Sequence, residues 1–141
     1  MKNEVFLDTA YAIALSSESD KHHKRAMDLA EQLEKTGTRL VTTRAVQLEI
    51  GNALSKRRYR HAAIRLLDSL EADPMVKIIP LSEKLYAQAL QLYRERQDKE
   101  WGLVDCISFI IMTKRSLTDA LTTDEHFQQA GFRALLKENA S

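Results

Sequence analysis

Short apolar runs alternate along this chain with longer stretches whose apolar residues return every three or four positions, and that alternation constrains the fold most. Residues 5–7, 39–42, 76–79, 119–123 and 132–136 have the length and content of buried strands. Between them lie helices with readable ends. Thr9 is placed to cap a helical turn over residues 10–15, and Asp20 to open a helix carrying Ala26, Leu29, Ala30 and Leu33 that stops at Thr36-Gly37. Thr42 or Thr43 caps a helix with Ala45, Val46, Ile50, Ala53 and Leu54 on one side, and a further helix carries Ile64, Leu67 and Leu70 to Asp73-Pro74. Ser82 caps a helix through Leu85, Ala89 and Leu92, residues 94–100 form a charged loop, and Gly102 begins the most apolar helix, residues 103–114. A helical turn over residues 125–130 precedes the last strand. Strands joined through helices need crossover connections, which make the strands parallel and cover both faces. The expected fold is therefore α/β: one domain over residues 1–141, a three-layer α/β/α sandwich around a short, mainly parallel sheet.

Totals narrow the field further. The 141 residues carry 21 basic and 20 acidic side chains, a formal charge of +1, so any preference for a polyanion has to be local. Cys106 is the single cysteine, which excludes an internal disulfide and a Cys-rich zinc site and fits the cytoplasm. The longest apolar run, residues 106–112, contains Ser108 and is far too short to span a membrane.

In a parallel sheet, ligands gather outside the carboxyl ends of the strands. Asp8 follows residues 5–7 at such an end, and Asp124 follows the run Ala120-Leu121-Thr122-Thr123 in the same way. Glu49 lies beside Ile50 near the apolar side of the third helix, and Asp105 sits in the first turn of the most apolar one. Singly, each acid has a structural role open to it, as a cap, a turn residue or a partner for a helix dipole. Together they occupy places that this fold brings close. Carboxylates so gathered repel and are driven to take up protons unless cations sit among them. Oxygen donors suit hard ions, so the expected cofactor is Mg²⁺ or Mn²⁺, and a divalent ion held there suits hydrolysis of a phosphodiester.

These residues resemble the PIN-domain metal-dependent ribonucleases, and among them the VapC-like toxins of type II toxin-antitoxin systems. "VFLDTAYAIAL" is similar to the family's first motif with Asp8, and "VTTRAVQLEIGNAL" to the second with Glu49. "KEWGLVDCISFIIM" resembles the third with Asp105, and "ALTTDEHFQQAGF" the fourth with Asp124. The resemblance implies a Mg²⁺- or Mn²⁺-dependent endoribonuclease in which these four acids hold the metal, often a homodimer, with a cognate antitoxin in toxin members. Thr9, Thr43 and Thr123 are the expected hydroxyl neighbours of the carboxylates. The family commonly has Ser or Thr where Gly102 stands, so a side-chain cap is missing before Asp105.

Outside the motifs, "SKRRYRH" gathers Lys56, Arg57, Arg58 and Arg60 around Tyr59, a combination able to grip phosphates and stack a base, or simply to solvate a helix junction. His126 stands two residues after Asp124, but Phe127 beside it suggests a turn that packs against the sheet. A dehalogenase-type phosphotransferase would need a second Asp two residues after Asp8, where this chain has Ala10. The remaining alternative is a PIN-like module that binds RNA or protein without cutting.

Overall fold

A computed structural model describes residues 3–138. In chain order the elements are β1 (Glu4–Leu7), α1 (Thr9–Ser16), α2 (His23–Thr36), β2 (Arg39–Thr43), α3 (Arg44–Ala53), α4 (Arg57–Ala72) and β3 (Val76–Ile79). They continue through α5 (Glu83–Glu95), α6 (Leu103–Lys114), β4 (Asp119–Leu121), α7 (Glu125–Gln129), β5 (Arg133–Ala134) and a 3₁₀ turn, Leu135–Lys137. The strands form one sheet in the order β3-β2-β1-β4-β5, and every pairing is parallel. Right-handed crossovers put α1 to α4 on one face and α5 to α7 on the other. The packing agrees in the main: α1 touches α2, α3 and α4, and α6 packs chiefly on α5, with smaller contacts to α7 and to α3. This is the α/β/α arrangement expected from the alternation.

The order reverses direction at β1. From there the chain builds outward to β2 and β3, then returns to the other side of β1 for β4 and β5. A switch point of this kind opens a crevice at the carboxyl ends of β1 and β4, because their crossovers leave on opposite faces. Phe6 lies opposite Ala120 and Leu7 opposite Leu121, so Asp8 and Thr122 emerge side by side from that crevice. Thr42 pins the same edge by donating from Oγ1 to the Leu7 carbonyl at 2.8 Å.

Three of the boundaries that differ from the sequence expectation have a visible physical cause. α2 starts at His23 rather than Asp20, because the Asp20 carboxylate accepts from the His22 amide at 2.8 Å and holds a separate turn ahead of the helix. β4 stops at Leu121, as the Thr122 hydroxyl turns to side-chain and cap partners. The last strand is only Arg133–Ala134; Leu135 and Leu136 are both buried, which consecutive residues of a strand cannot be on one face, so the chain winds into the 3₁₀ turn. At the end of α2, Gly37 takes φ +66°, a left-handed cap natural to glycine.

An aromatic cluster supports the face below α6 and α7. Phe109 meets Phe127 edge-on with centroids 5.0 Å apart and Trp101 likewise at 5.0 Å, and Phe127 lies 6.2 Å from Phe6 on β1. Phe127 is fully buried. Phe127→Ala should therefore lower unfolding stability by about 3–5 kcal/mol, measured by urea denaturation, through lost apolar burial and the cavity left in the cluster.

Candidate active site

Asp8 occupies the residue between β1 and α1, at φ −102° and ψ 164°, yet its side chain does not cap the helix in the usual way, by accepting from an amide further along the first turn. Its Oδ2 instead accepts from the Thr122 hydroxyl at 2.7 Å. The side chain is nearly sealed, at 6% exposure. Loss of water around the carboxyl raises its pKa from the ordinary 3.8 to about 7, against the hydrogen bonds from Thr122 and the Thr9 amide. The negative charges of Glu49 and Asp105 push in the same upward direction.

Three elements bring the other acids toward this edge. α3 presents Glu49, whose Oε1 accepts from the Thr9 hydroxyl at 2.5 Å. Thr9 is thus the first residue of α1 and a partner of a carboxylate, not the cap of its helix. α6 presents Asp105 from its first turn, with Oδ2 accepting from the Gly102 amide at 3.0 Å. Gly102 lacks a side-chain cap, and Asp105 itself satisfies the exposed N–H at that helix start. Asp124 caps α7 by accepting from the His126 amide at 2.8 Å. Its own amide donates to Thr122 Oγ1 at 3.0 Å, so one buried hydroxyl links Asp8 to Asp124.

His126 joins the other pair. Its Nδ1 lies 3.0 Å from Asp105 Oδ2 and 3.4 Å from Asp124 Oδ1. Burial alone would lower the imidazole pKa, but the hydrogen bond to Asp105 and the charges of Asp124, Asp105 and Glu125 raise it overall. Among the described residues, Asp105, Asp124 and His126 are the group whose ligand atoms all lie within 4.8 Å of one another. Asp8 and Glu49 stand beside that group, coupled to it by charge and by Thr122. The four expected acids thus come to one edge in two linked sets: the buried Asp8 with the half-buried Glu49 beside it, and the half-buried group of Asp105, Asp124 and His126.

The hydroxyl neighbours divide differently. Thr9 meets a carboxylate as expected. Thr43 is turned to its own helix, accepting from the Val46 amide at 3.1 Å. The hydroxyl on Asp8 belongs to Thr122 rather than Thr123, because β4 ends at Leu121 and the next residue faces inward. Sequence reasoning also passed over His126: the turn packs through Phe127, which leaves the neighbouring imidazole facing the acids. Lys56, Arg57, Arg58 and Arg60 are all exposed around the start of α4. Arg58 lies over the Tyr59 ring at 4.7 Å, and Arg60 donates to the Ser55 carbonyl at 2.7 Å.

The donor set fits a small divalent cation. The hydrogen-bond partners of Asp8 are neutral while its charged neighbours are acidic, and the oxygen donors around it suit Mg²⁺ or Mn²⁺, with an imidazole at the rim.

Residues 5–133 match the PIN domain family. The 23S rRNA-specific endonuclease VapC20 of Mycobacterium tuberculosis, from strains CDC 1551/Oshkosh and ATCC 25618/H37Rv, is 27% identical over 128 residues, covering 91% of this chain and 95% of the relative. The crystal structure of Mycobacterium tuberculosis VapC20, described as a sarcin-ricin loop cleaving toxin, superimposes with a TM-score of 0.79 at 25% identity, covering 92% of this chain and 96% of that one. FitAcB from Neisseria gonorrhoeae shares the fold, with a TM-score of 0.63 at 19% identity over 92% of this chain and 95% of that one.

A carboxyl whose pKa rises on folding from 3.8 to about 7 stabilises the fold in its protonated form below the unfolded value, and that contribution is lost as pH rises through about 7. In EDTA, Asp8→Asn should therefore be more stable than the wild type at pH 8, by up to about 4 kcal/mol, with the difference vanishing near pH 4. Chemical denaturation of both proteins across that range measures it.

Proposed function

The chain belongs to the PIN-domain family, and from that premise we propose that it is a Mg²⁺- or Mn²⁺-dependent endoribonuclease, the toxin of a toxin-antitoxin pair. The observation that carries the reading is the buried Asp8 carboxyl at the sheet's switch point, beside further acids and without a cationic hydrogen-bond partner. Such a cluster is costly without a cation and well matched to one. Asp8, Glu49, Asp105 and Asp124 hold the ion in this account. An ion held by these carboxylates would supply Lewis acidity toward a phosphodiester and toward water.

The chain's own groups prepare that chemistry. The Thr122 hydroxyl fixes the direction of the Asp8 carboxylate, and Thr9 does the same for Glu49. His126 spans Asp105 and Asp124 and keeps the rim acids together. Lys56, Arg57, Arg58 and Arg60 are exposed and offer phosphate contacts, with Tyr59 available for stacking. The likeness to VapC20, a 23S rRNA-specific endonuclease, makes structured ribosomal RNA the first substrate to try; the resemblance of the four motifs to VapC-like toxins implies a homodimer held in check by an antitoxin, in the cytoplasm. Among the described residues, no helix is long and apolar enough to cross a membrane.

Purified protein incubated with a ribosomal RNA fragment should cut it with Mg²⁺ or Mn²⁺ and not with EDTA, and Asp8→Asn or Asp105→Asn should slow cutting at least about 100-fold. Equal cutting by the variants would overturn the carboxylate mechanism, and RNA binding without cutting would favour the module reading. Replacing Arg57 by Ala should weaken RNA binding and reduce the salt dependence of affinity by about one phosphate contact, read from binding titrations at several salt concentrations.

A further inference from the structure

Beside the acids, on the far side of the loop that seats Asp105, lies a cavity of about 430 Å³ lined by Tyr93, Arg94, Gln97, Lys99, Trp101 and Cys106 among others. It is bounded by the end of α5, the 96–102 loop and the first turn of α6. Cys106, at its floor, follows Asp105 directly in the first turn of α6, so the cavity opens next to the element that carries that acid.

The walls are of two kinds. One is rigid: Trp101 is buried, donates from Nε1 to Gln129 at 3.0 Å, packs edge-on against Phe109 and carries the Arg96 guanidinium 4.9 Å above its ring. Arg96 is clamped there by Asp98 through hydrogen bonds of 3.0 and 3.1 Å, so its charge is already compensated. The other wall is open: Tyr93 is 47% exposed, Arg94 is exposed on the same turn, and Lys99 stands only loosely, at 4.0 Å, from Asp98.

We propose that this cavity is a nucleotide subsite: Tyr93 stacks a splayed base of the RNA, Arg94 and Lys99 take its phosphates, and the strand leads from there to the carboxylates. An exposed aromatic ring with cations at its margin is the arrangement that holds single-stranded nucleic acid without requiring a particular base. The Gln97 amide and the rim carboxylate of Glu100 can meet base edges, and Glu100 disfavours a bare polyanion in the pocket. The subsite rests on the ribonuclease reading for its substrate, and it adds a second contact surface to the basic start of α4.

Trp101 is the chain's single tryptophan and lines the cavity, so its fluorescence reports occupancy directly. With EDTA present to prevent cutting, a single-stranded oligoribonucleotide should quench that fluorescence saturably, whereas inorganic polyphosphate should not. Tyr93→Ala and Arg94→Ala should each weaken the oligoribonucleotide's affinity about 10-fold, and Tyr93→Phe should restore wild-type affinity. Equal quenching by polyphosphate, no quenching, or unchanged affinity in Tyr93→Ala would overturn the subsite. Metal-dependent cutting by the wild type with unchanged Tyr93→Ala binding removes the subsite alone. Base-dependent quenching without any cutting keeps the subsite and removes the ribonuclease.

Discussion

Holding the Asp8 carboxyl in a nearly dry crevice at the switch point between β1 and β4 is the constraint on which the rest of the site depends. Sheet topology puts it there, because the parallel register of Leu7 with Leu121 leaves Asp8 facing Thr122 at the carboxyl edge. Burial then disfavours its charge, and the acids brought in by α3 and α6 add repulsion rather than relief. At neutral pH such an arrangement costs stability, and in the proposed function the same repulsion creates affinity for a cation.

Packing beneath the site explains how the acids keep their places. Asp105 and Phe109 are one helical turn apart on α6, and Phe127 follows His126 on α7, so the edge-on contact of the two rings sets the spacing of the residues above them. Thr122 performs the matching task from the sheet, joining Asp8 to the amide of Asp124 through one buried hydroxyl. Helix, sheet and one-turn helix thus meet at a point where none could position the acids alone.

Much of this was legible in the sequence. Strand-end acids such as Asp8 and Asp124 announce themselves by following short apolar runs, and the alternation of strands and helices dictated the parallel sheet. What failed to show was phase. In Ala120-Leu121-Thr122-Thr123 either threonine could face inward, and only the end of β4 at Leu121 decides for Thr122. His126 was hidden because a five-residue helix has too few positions for a periodicity, so the apolar neighbour Phe127 stood for the whole turn. Leu135 and Leu136 looked like a strand because both are apolar, and it is their joint burial that forces the 3₁₀ turn.

If the acids act as one centre, a divalent ion must settle among them. The most direct measurement is anomalous diffraction at the manganese edge from crystals soaked in Mn²⁺. The account predicts a strong peak about 2 Å from an oxygen of Asp8 and from at least one of Glu49, Asp105 and Asp124. Manganese bound elsewhere, with these four carboxylates left without it at saturating Mn²⁺, would contradict it.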